Sequence, residues 1–299
     1  MFLGIDGGGT KTKFTLEDNG KYYSTQKNTI HLKQISDEKF YETIEEGVNE
    51  VCKQRSINPS DIEFTFAAIP GYGQYPEIVE VIENTFDKIL GKDKYAVGND
   101  CVNGWAGSLN AKEGINLVLG TGAISLGVDK NDKKLSASGW GPFLGDEASA
   151  YYIGMKILNL FTKMSDGRIE KTLLYDKIKN KYSIKEDFEI ITIAANMKRD
   201  EIAKLSMLLQ DLLDEDDKYA KEILEDVAYE ASLAIDSLIN QMDFTKPVKV
   251  SYSGGVFNLG DILLDKIKEK SKYELDIVSP YTTPDKGSII MAKKIYSER

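Results

Sequence analysis

Apolar and polar positions follow two different periods along the chain, and each period predicts a type of element. Short apolar runs at residues 2–5, 115–119 and 248–252 have the length of buried strands. Residues 220–242 instead repeat apolar side chains every three or four positions, which predicts a helix with one buried face. The positions on that face are Ile223, Leu224, Val227, Ala231, Ala234 and Leu238.

The same reasoning assigns most of the remaining chain. The predicted strands are 13–16, 64–68, 123–128 and a strand that ends at Asn99-Asp100, and the predicted helices are 38–55, 75–90 and 286–299. A long helical region follows residue 128, and the acidic run 211–217 is interpreted as a solvated junction between helices. Because strands and helices alternate, the predicted class is α/β.

Three of the predicted strands run directly into glycine-rich turns. The turns are Asp6-Gly7-Gly8-Gly9-Thr10-Lys11-Thr12, Gly120-Thr121-Gly122-Ala123 and Ser253-Gly254-Gly255-Val256. A tight hairpin needs one or two glycines, since glycine reaches positive φ at little cost. Three in a row exceed that need, and a backbone without Cβ atoms can bring several N–H groups close to an anion such as a phosphate. The first two turns are each followed by another strand, so this arrangement occurs twice.

Composition and charge narrow the possible partners. The chain of 299 residues is long enough for two domains, and its net charge of -10 argues against nucleic acid or an anionic membrane surface as a partner. Neither a signal peptide nor a membrane-spanning run is evident, and Cys52 and Cys101 form no disulfide framework, so a cytoplasmic protein is expected. Because His31 is the one histidine, proton transfer is expected to fall to a carboxylate or to the substrate.

The order and sequence of the three turns resemble those of the sugar kinase, Hsp70 and actin superfamily. The resemblance implies two duplicated actin-like (ribonuclease H-like) ATPase domains, with ATP and a sugar in the interdomain cleft. The implied domains are residues 1–114 and 115–285, with helix 286–299 packing back on the first domain. Neither a P-loop nor a protein-kinase signature is present.

Within this resemblance, the turns receive specific roles. ATP phosphates are expected on Gly8, Gly9, Thr10, Lys11, Thr12, Gly120, Thr121 and Gly122, and adenosine on Gly254, Gly255 and Val256. Asp6 ends its strand beside the first turn, where it would serve Mg²⁺ or its water shell, because Mg²⁺ keeps several waters and takes few carboxylates.

Asp100 is the candidate general base. The pair Asn99-Asp100 follows a predicted strand, and the aspartate at this place in sugar kinases takes the proton of the sugar hydroxyl during attack on the γ-phosphate. Phosphoryl transfer depends mostly on positioning and charge neutralisation, so one aspartate, Mg²⁺ and two anion-binding turns would suffice. The alternative interpretation is a helix N-cap or turn, where both residue types are common.

The segment SGWGPFLGDEASA at residues 138–150 is the most specific signal. It resembles a block of the N-acetylglucosamine kinase branch of the BadF/BadG/BcrA/BcrD ATPase family. The resemblance implies sugar contacts by Asn99, Asp100, Thr121, Trp140, Gly141, Asp146 and His31. The segment Gly145-Asp146-Glu147 is also predicted to begin a helix.

This sequence departs from the family pattern at two positions. Ala148 stands where the family usually has glycine, and Ile30 precedes His31 where an asparagine is expected. We interpret Ile30 as leaving room for a bulkier 3-O substituent, such as the lactyl ether of N-acetylmuramic acid.

The expected function is therefore an ATP-dependent kinase that phosphorylates an N-acetylated amino sugar at its 6-hydroxyl. N-acetylglucosamine and N-acetylmuramic acid are both candidate substrates, and the resemblance implies a homodimer. An alternative is an ATPase activator of an iron–sulfur electron-transfer enzyme, which would need clustered cysteine ligands. An ATP-binding sensor without chemistry is a third interpretation, whereas a ROK-type glucokinase is disfavoured because its zinc and Glu-x-Gly-His motifs are missing.

Overall fold

A computed structural model describes all residues of the chain, 1–299, and divides them into two compact units. Unit 1 consists of Met1–Lys112 together with Ser279–Arg299, and unit 2 consists of Glu113–Val278. The chain therefore leaves unit 1, builds unit 2 without interruption, and returns. The returning segment begins at Ser279, ahead of the helix that the sequence predicts from residue 286.

Alternating strands and helices build the first 112 residues. The elements are β1 (Phe2–Gly7), β2 (Lys11–Asp18), β3 (Lys21–Asn28), α1 (Asp37–Arg55), β4 (Phe64–Ile69), α2 (Val79–Ile89), β5 (Tyr95–Asn99) and α3 (Asp100–Leu109). Short 3₁₀ turns at Pro59–Asp61 and Pro76–Ile78 precede β4 and α2. The sequence pattern missed β3, because its polar residues line an edge strand and give no apolar run.

Unit 2 contains one sheet and most of the helices. Its elements are β6 (Gly114–Leu119), β7 (Ala123–Val128), β8 (Lys134–Ser138), α4 (Ala150–Ser165), α5 (Leu173–Tyr182), α6 (Glu189–Ala195), α7 (Arg199–Ala203), α8 (Leu208–Asp214), α9 (Lys218–Gln241), β9 (Val248–Ser253), α10 (Asp261–Lys270) and β10 (Leu275–Ile277). Further 3₁₀ turns lie at Lys204–Met207 and Gly255–Leu259. No helix in the protein combines the length and apolar character that a membrane span requires.

The two units share one sheet topology. The strand order is β3-β2-β1-β4-β5 in unit 1 and β8-β7-β6-β9-β10 in unit 2. In each sheet, the first three strands are antiparallel neighbours and the last three are parallel neighbours. This repetition explains why the strand, glycine turn and strand pattern occurs twice in the sequence.

The returning segment closes unit 1. Its helix α11 (Pro284–Ser297) lies so close to β1 that a Cβ on Gly4 would lie 2.8 Å from the Cβ of Ser288. The Ser288 hydroxyl donates a hydrogen bond to the Ile5 carbonyl at 3.2 Å. Glycine at residue 4 thus lets the last helix of the chain seat on the first strand.

Separate hydrophobic cores stabilise the two units. In unit 1, Leu3, Ile5, Phe14 and Leu16 pack against α1 and α2, and Gly47 of α1 leaves room for the Phe14 ring. In unit 2, the buried face of α9 packs against β6, β7 and β8. Five of the six apolar positions of the predicted helical face are buried there, and Ala234 is partly exposed. The acidic run that precedes α9 ends in Asp217, which caps that helix by accepting hydrogen bonds from the Tyr219 and Ala220 amides.

Candidate active site

The first glycine turn joins β1 to β2. Its Gly8 amide donates to the Lys11 carbonyl at 2.9 Å, and none of its three glycines has a φ in the left-handed region. Positive φ is therefore not the reason for glycine here, contrary to the general expectation for hairpin turns. A Cβ on Gly7 would lie 2.7 Å from the Ala68 carbonyl oxygen, whereas a Cβ on Gly9 would meet nothing. The turn is consequently packed at its base and open at its tip.

The side chains of the first turn face in different directions. Thr10 and Lys11 are exposed beside Gly9, as a phosphate-binding role requires. Thr12 instead faces the core with Phe14, and its buried hydroxyl makes no hydrogen bond. Alternation along β2 turns the Thr12 side chain inward, and a phosphate contact at Thr12 stays a prediction.

Thr29 supports this turn and was not found by sequence reasoning. Its hydroxyl donates to the Gly8 carbonyl at 2.8 Å and accepts a hydrogen bond from the His31 amide at 3.1 Å. A threonine after an edge strand carries no distinctive sequence signal, so only the fold identifies its role as a brace.

Asp6 and Asp100 come from the carboxyl ends of two parallel strands. β4 separates β1 from β5 in the sheet, and Asp6 is the last but one residue of β1 while Asp100 follows β5 directly. The Asp6 Oδ1 atom accepts a hydrogen bond from Asn103 Nδ2 at 2.5 Å. Ligand sites in α/β sheets lie at such strand ends, so the sheet brings two residues to one edge that the sequence analysis had assigned separately to Mg²⁺ and to the general base.

Burial and like charges raise the pKa of both carboxyl groups. The pKa of Asp6 is raised mainly by desolvation and further by Asp285, against the lowering effect of Asn103. Desolvation also raises the pKa of Asp100 to about 6, with a smaller contribution from Asp6, although part of the Asp100 surface stays open to solvent. At neutral pH, Asp100 is therefore mostly ionised and a stronger base than an ordinary aspartate.

Asn99 holds Asp100 at the start of α3. Its Oδ1 atom accepts from the Cys101 amide at 3.1 Å, and its Nδ2 atom donates to the Tyr72 carbonyl at 3.2 Å. Asn99 is thus the helix N-cap, as the alternative interpretation of this pair had it. Both polar ends of its side chain have protein partners, which favours a positioning role for Asn99 over the sugar contact that the resemblance implied.

A third carboxylate, that of Asp285, lies close enough to Asp6 to raise its pKa. Asp285 at the start of α11 accepts from the Thr15 hydroxyl and pairs with Lys13 Nζ, both at 2.9 Å. Burial raises the pKa of Asp285, but hydrogen bonds from Thr283, Lys13 and Thr15 outweigh it and leave the pKa lowered. Sequence reasoning assigned Asp285 no role, since its partners are far away along the chain.

His31 and Ile30 differ in their surroundings. His31 is half-buried, its Nδ1 atom accepts from the Lys33 amide at 3.3 Å, and burial together with Lys33 lowers its pKa. Ile30 is fully buried, and a Cβ on Gly7 would lie 2.8 Å from its Cδ1 atom. Ile30 therefore belongs to the core beneath the first turn, and its position does not support the idea that it leaves room for a sugar substituent.

The second and third turns lie together in unit 2. The Gly120 amide donates to the Gly122 carbonyl at 2.9 Å, and the Gly120 carbonyl accepts from the Ala150 amide at 2.8 Å. Gly254 has a φ of 107°, and a Cβ there would overlap the Leu119 carbonyl. Gly120 and Thr121 remain accessible, as does Gly255, while Val256 is buried. Parallel pairing of β6 and β9 thus brings both turns to one edge.

The glycine-tryptophan block forms a strained loop between β8 and α4. Positive φ values occur at Ser138, Gly139, Gly141, Asp146 and Ala148. Trp140 is 74% exposed, and Phe143 and Leu144 are also largely exposed. The predicted helix start at residues 145–147 is wrong, because α4 begins at Ala150 with Ser149 as its N-cap. The positive φ at Asp146 and Ala148 keeps the preceding residues out of the helix.

Asp146 is buried in this loop and forms an ion pair that the sequence did not suggest. Its Oδ1 atom accepts from the Ala123 amide at 3.4 Å, and its Oδ2 atom pairs with Arg199 Nη2. Arg199 begins α7, which lies so close to α4 that a Cβ on Gly154 would overlap the Ile202 carbonyl. No motif surrounds Arg199, so its place beside Asp146 becomes visible only through the packing of α7.

A cavity of about 250 Å³ lies next to Trp140 in unit 2. Its walls are mainly small or apolar residues of the sheet and of α9, together with Glu147 and Glu230. Burial raises the pKa of Glu230, and Asp226 and Glu147 add to the effect. The cavity adjoins the loop that the resemblance assigned to the sugar.

Comparisons with known proteins agree over nearly the full chain. Residues 3–284 match the BadF/BadG/BcrA/BcrD ATPase family. An N-acetylmuramic acid/N-acetylglucosamine kinase of Clostridium acetobutylicum is 26% identical over 299 residues, which span 97% of each protein. An N-acetyl-D-glucosamine kinase of Dictyostelium discoideum is 27% identical over 312 residues, 98% of this chain and 97% of the relative.

A solved structure gives the same result for the fold. A Chromobacterium violaceum protein, described as a candidate N-acetylglucosamine kinase, superimposes with a TM-score of 0.78 at 20% identity, covering 97% of this chain and 98% of the other. Together with the repeated sheet topology, this likeness confirms the predicted class of two duplicated α/β domains.

Proposed function

The chain belongs to the BadF/BadG/BcrA/BcrD ATPase family, and from this premise we propose that it is an ATP-dependent kinase of N-acetylated amino sugars. N-acetylglucosamine is the proposed substrate, because both curated relatives are named for its phosphorylation. The phosphoryl group is proposed to go to the 6-hydroxyl. The observation that carries the proposal is the pairing of Asp6 with Asp100 at the ends of parallel strands, beside an open glycine turn.

Asp100 is the proposed general base. With its pKa raised to about 6, its carboxylate is ionised at neutral pH and can accept the proton of a sugar hydroxyl as that oxygen attacks the γ-phosphorus. The bond from the γ-phosphorus to the bridging oxygen of ADP breaks as the new bond to the sugar oxygen forms. Asn99 fixes the start of α3 and thereby the direction of the Asp100 carboxylate.

The glycine turns are proposed to hold ATP. Backbone amides at Gly8 and Gly9, the side chains of Thr10 and Lys11, and the turn from Gly120 to Gly122 would take the phosphates. The third turn at Gly254 and Gly255 would take the adenosine. In the sugar site, Trp140, Gly141 and Asp146 would contact the ring, and Thr121 and His31 complete the proposed contacts.

Asp6 fits the role of a Mg²⁺ partner. Burial and Asp285 raise its pKa, whereas Asn103, Lys13 and Lys11 lower it, and a divalent cation would offset the cost of ionising this buried group. Asn103 holds the Oδ1 atom, which leaves Oδ2 for the ion or its water shell. Mg²⁺ bound there would neutralise charge on the phosphates.

A coupled assay of ADP release tests the proposal directly. Mg²⁺-ATP is supplied with N-acetylglucosamine, glucosamine, glucose or no sugar, and the phosphorylated position of the product is determined by NMR. Release that depends on N-acetylglucosamine is the expected result. ATP hydrolysis at the same rate without any sugar would contradict the kinase proposal.

The iron–sulfur activator is the alternative to this proposal, and no contact in the structure favours it. Cys52 and Cys101 are both buried, and burial raises the pKa of Cys52 to about 11, which keeps that thiol protonated and a poor metal ligand. Iron analysis of the purified protein separates the two functions.

A further inference from the structure

Arg199 has unused hydrogen-bonding capacity beside a residue proposed to bind the sugar. A guanidinium group carries five N–H donors. In this structure only Nη2 donates, to Asp146, and the Arg199 side chain is 44% exposed. The remaining donors are therefore accessible to a ligand that contacts Asp146.

The guanidinium group is held in place by its surroundings. Arg199 Nη2 would lie 2.6 Å from a Cβ on Gly122, so it also touches the second glycine turn. Gly154 allows α7 to pack closely on α4, which fixes the helix that carries Arg199. A preorganised cation loses little conformational entropy on binding an anion. Such a fixed positive charge is notable in a chain with a net charge of -10.

We propose that Arg199 recognises a carboxylate on the sugar, and thus selects amino sugars that carry an acidic ether substituent. The 3-O-lactyl group of N-acetylmuramic acid has this chemistry, and the planar guanidinium fork matches a carboxylate in a bidentate manner. The inference rests on the proposed function, because it places Arg199 in the sugar site of that kinase. With a neutral sugar bound, Arg199 would keep Asp146 as its one ion-pair partner.

A transferred phosphoryl group is the competing anion, since Gly122 belongs to a turn assigned to phosphates. The ion pair with Asp146 favours the sugar carboxylate, because Asp146 is assigned to the sugar and is buried next to the guanidinium. The two possible contacts lead to different predictions about which substrates depend on Arg199. A phosphoryl contact would serve every substrate, whereas a carboxylate contact serves only acidic sugars.

The test compares kcat/KM for N-acetylglucosamine, N-acetylmuramic acid and the methyl ester of N-acetylmuramic acid. The ester keeps the bulk of the lactyl group and removes its charge. With the wild-type protein, we expect the acid to be preferred over the ester by about tenfold or more, as a charge-assisted hydrogen bond implies. This comparison needs no variant and so does not depend on the folding of one.

Variants of Arg199 then test whether this residue recognises the sugar carboxylate. Arg199→Gln is expected to lower kcat/KM for N-acetylmuramic acid by about 10- to 100-fold, with N-acetylglucosamine changed by less than about threefold. Arg199→Lys is expected to retain part of the preference for the acid. Arg168→Gln is the matched control, because Arg168 is also paired with an aspartate, Asp166, on the surface of unit 2.

Three results would overturn the inference. Equal losses of kcat/KM for both sugars in Arg199→Gln would indicate that Arg199 positions Asp146 or contacts the phosphoryl group. Turnover of N-acetylglucosamine without turnover of N-acetylmuramic acid by the wild-type protein would overturn the inference and leave the proposed function intact. Turnover of neither sugar would overturn the proposed function, and the inference with it.

Discussion

Single side chains have separate roles in the proposed chemistry. Some take part in the reaction, and others hold the reacting groups in place. Asp100 has the raised pKa and the accessible surface of a base. Asn99 caps the helix that Asp100 begins, and Asn103 holds the Asp6 carboxylate by donating to it. Thr29 does the same for the first glycine turn through its bond to Gly8. Most of the polar residues around Asp6 and Asp100 thus serve geometry.

Asp100→Asn tests the base at this scale. Asparagine keeps the shape of the side chain but cannot accept a proton, so we expect turnover to fall by about 10²–10⁴-fold. Sugar affinity, measured by calorimetry, should change by less than about tenfold, or about 1.4 kcal/mol.

Asp37→Asn is the matched control, because Asp37 is likewise the first residue of a helix and lies on the surface of unit 1. It should leave turnover unchanged. Parallel losses of sugar affinity and turnover in Asp100→Asn would indicate a structural role for Asp100.

At the scale of elements, close packing and unusual backbone conformations set the positions of the turns. Gly254 meets Leu119 so closely that no side chain fits, and Gly154 does the same between α4 and α7. Ala148 adopts a φ of 65° although it carries a Cβ, as do Ser138 and Asp146 in the same loop. Glycine adopts this left-handed conformation at less cost than alanine does.

Ala148→Gly should therefore relieve strain. An L-residue in the left-handed region costs roughly 1 kcal/mol, although the greater freedom of glycine in the unfolded chain offsets part of the gain. We expect the free energy of unfolding, measured with urea, to rise by up to about 1 kcal/mol.

Ala150→Gly is the comparison for this change, since Ala150 begins α4 in a regular helical conformation. It should destabilise the protein by roughly 0.5–1 kcal/mol. If both substitutions destabilised the protein equally, the strain assigned to Ala148 would be refuted.

Gly254→Ala should weaken nucleotide binding. The added methyl group would push against the Leu119 carbonyl and displace the second turn, and its positive φ adds strain on the order of 1–3 kcal/mol. We expect ATP affinity, measured by calorimetry, to fall at least about tenfold, which corresponds to about 1.4 kcal/mol.

The neighbouring Gly255→Ala supplies the control. A Cβ there would meet no protein atom within 4 Å, and its φ lies outside the left-handed region, so Gly255→Ala should leave the turn in place and lower ATP affinity less than Gly254→Ala does. Unchanged ATP affinity in Gly254→Ala would remove the third turn from the proposed nucleotide site.

At the scale of the whole molecule, the chain closes unit 1 with its last helix, and Asp285 joins the two ends. Removing its charge by Asp285→Asn leaves Lys13 without a buried partner, and we expect a loss of about 1–3 kcal/mol in the free energy of unfolding at pH 7.

The pH dependence of this loss follows from the lowered pKa of Asp285. A carboxyl group with a lowered folded pKa contributes stability above its unfolded pKa of about 3.9 and loses it as the pH falls through the folded value. Urea unfolding at a series of pH values should thus show the variant and the wild type converging below about pH 4. A constant difference down to pH 3 would contradict this account.

The sequence predicted elements and motifs formed by neighbouring residues, and it missed contacts between residues that are far apart along the chain. Apolar runs, helical periodicity and three glycine turns lie in contiguous residues, so the α/β class, the duplication and the separate candidates Asp6 and Asp100 could be inferred. Asn103 lies 97 residues from Asp6, Arg199 lies 53 from Asp146 and Thr15 lies 270 from Asp285. Such partners leave no pattern in the sequence, because only the packed sheets and helices make them neighbours.

The return of the chain to unit 1 also has a consequence for biosynthesis. A ribosome makes unit 2 as one continuous stretch, whereas unit 1 stays without α11 until Ser279–Arg299 has been made. During translation, β1 therefore lacks the helix that covers Gly4, and Lys13 lacks Asp285. Unit 2 can fold first on the nascent chain, and Asp285 joins Asp6 and Asp100 in unit 1 only once the last residues have been made.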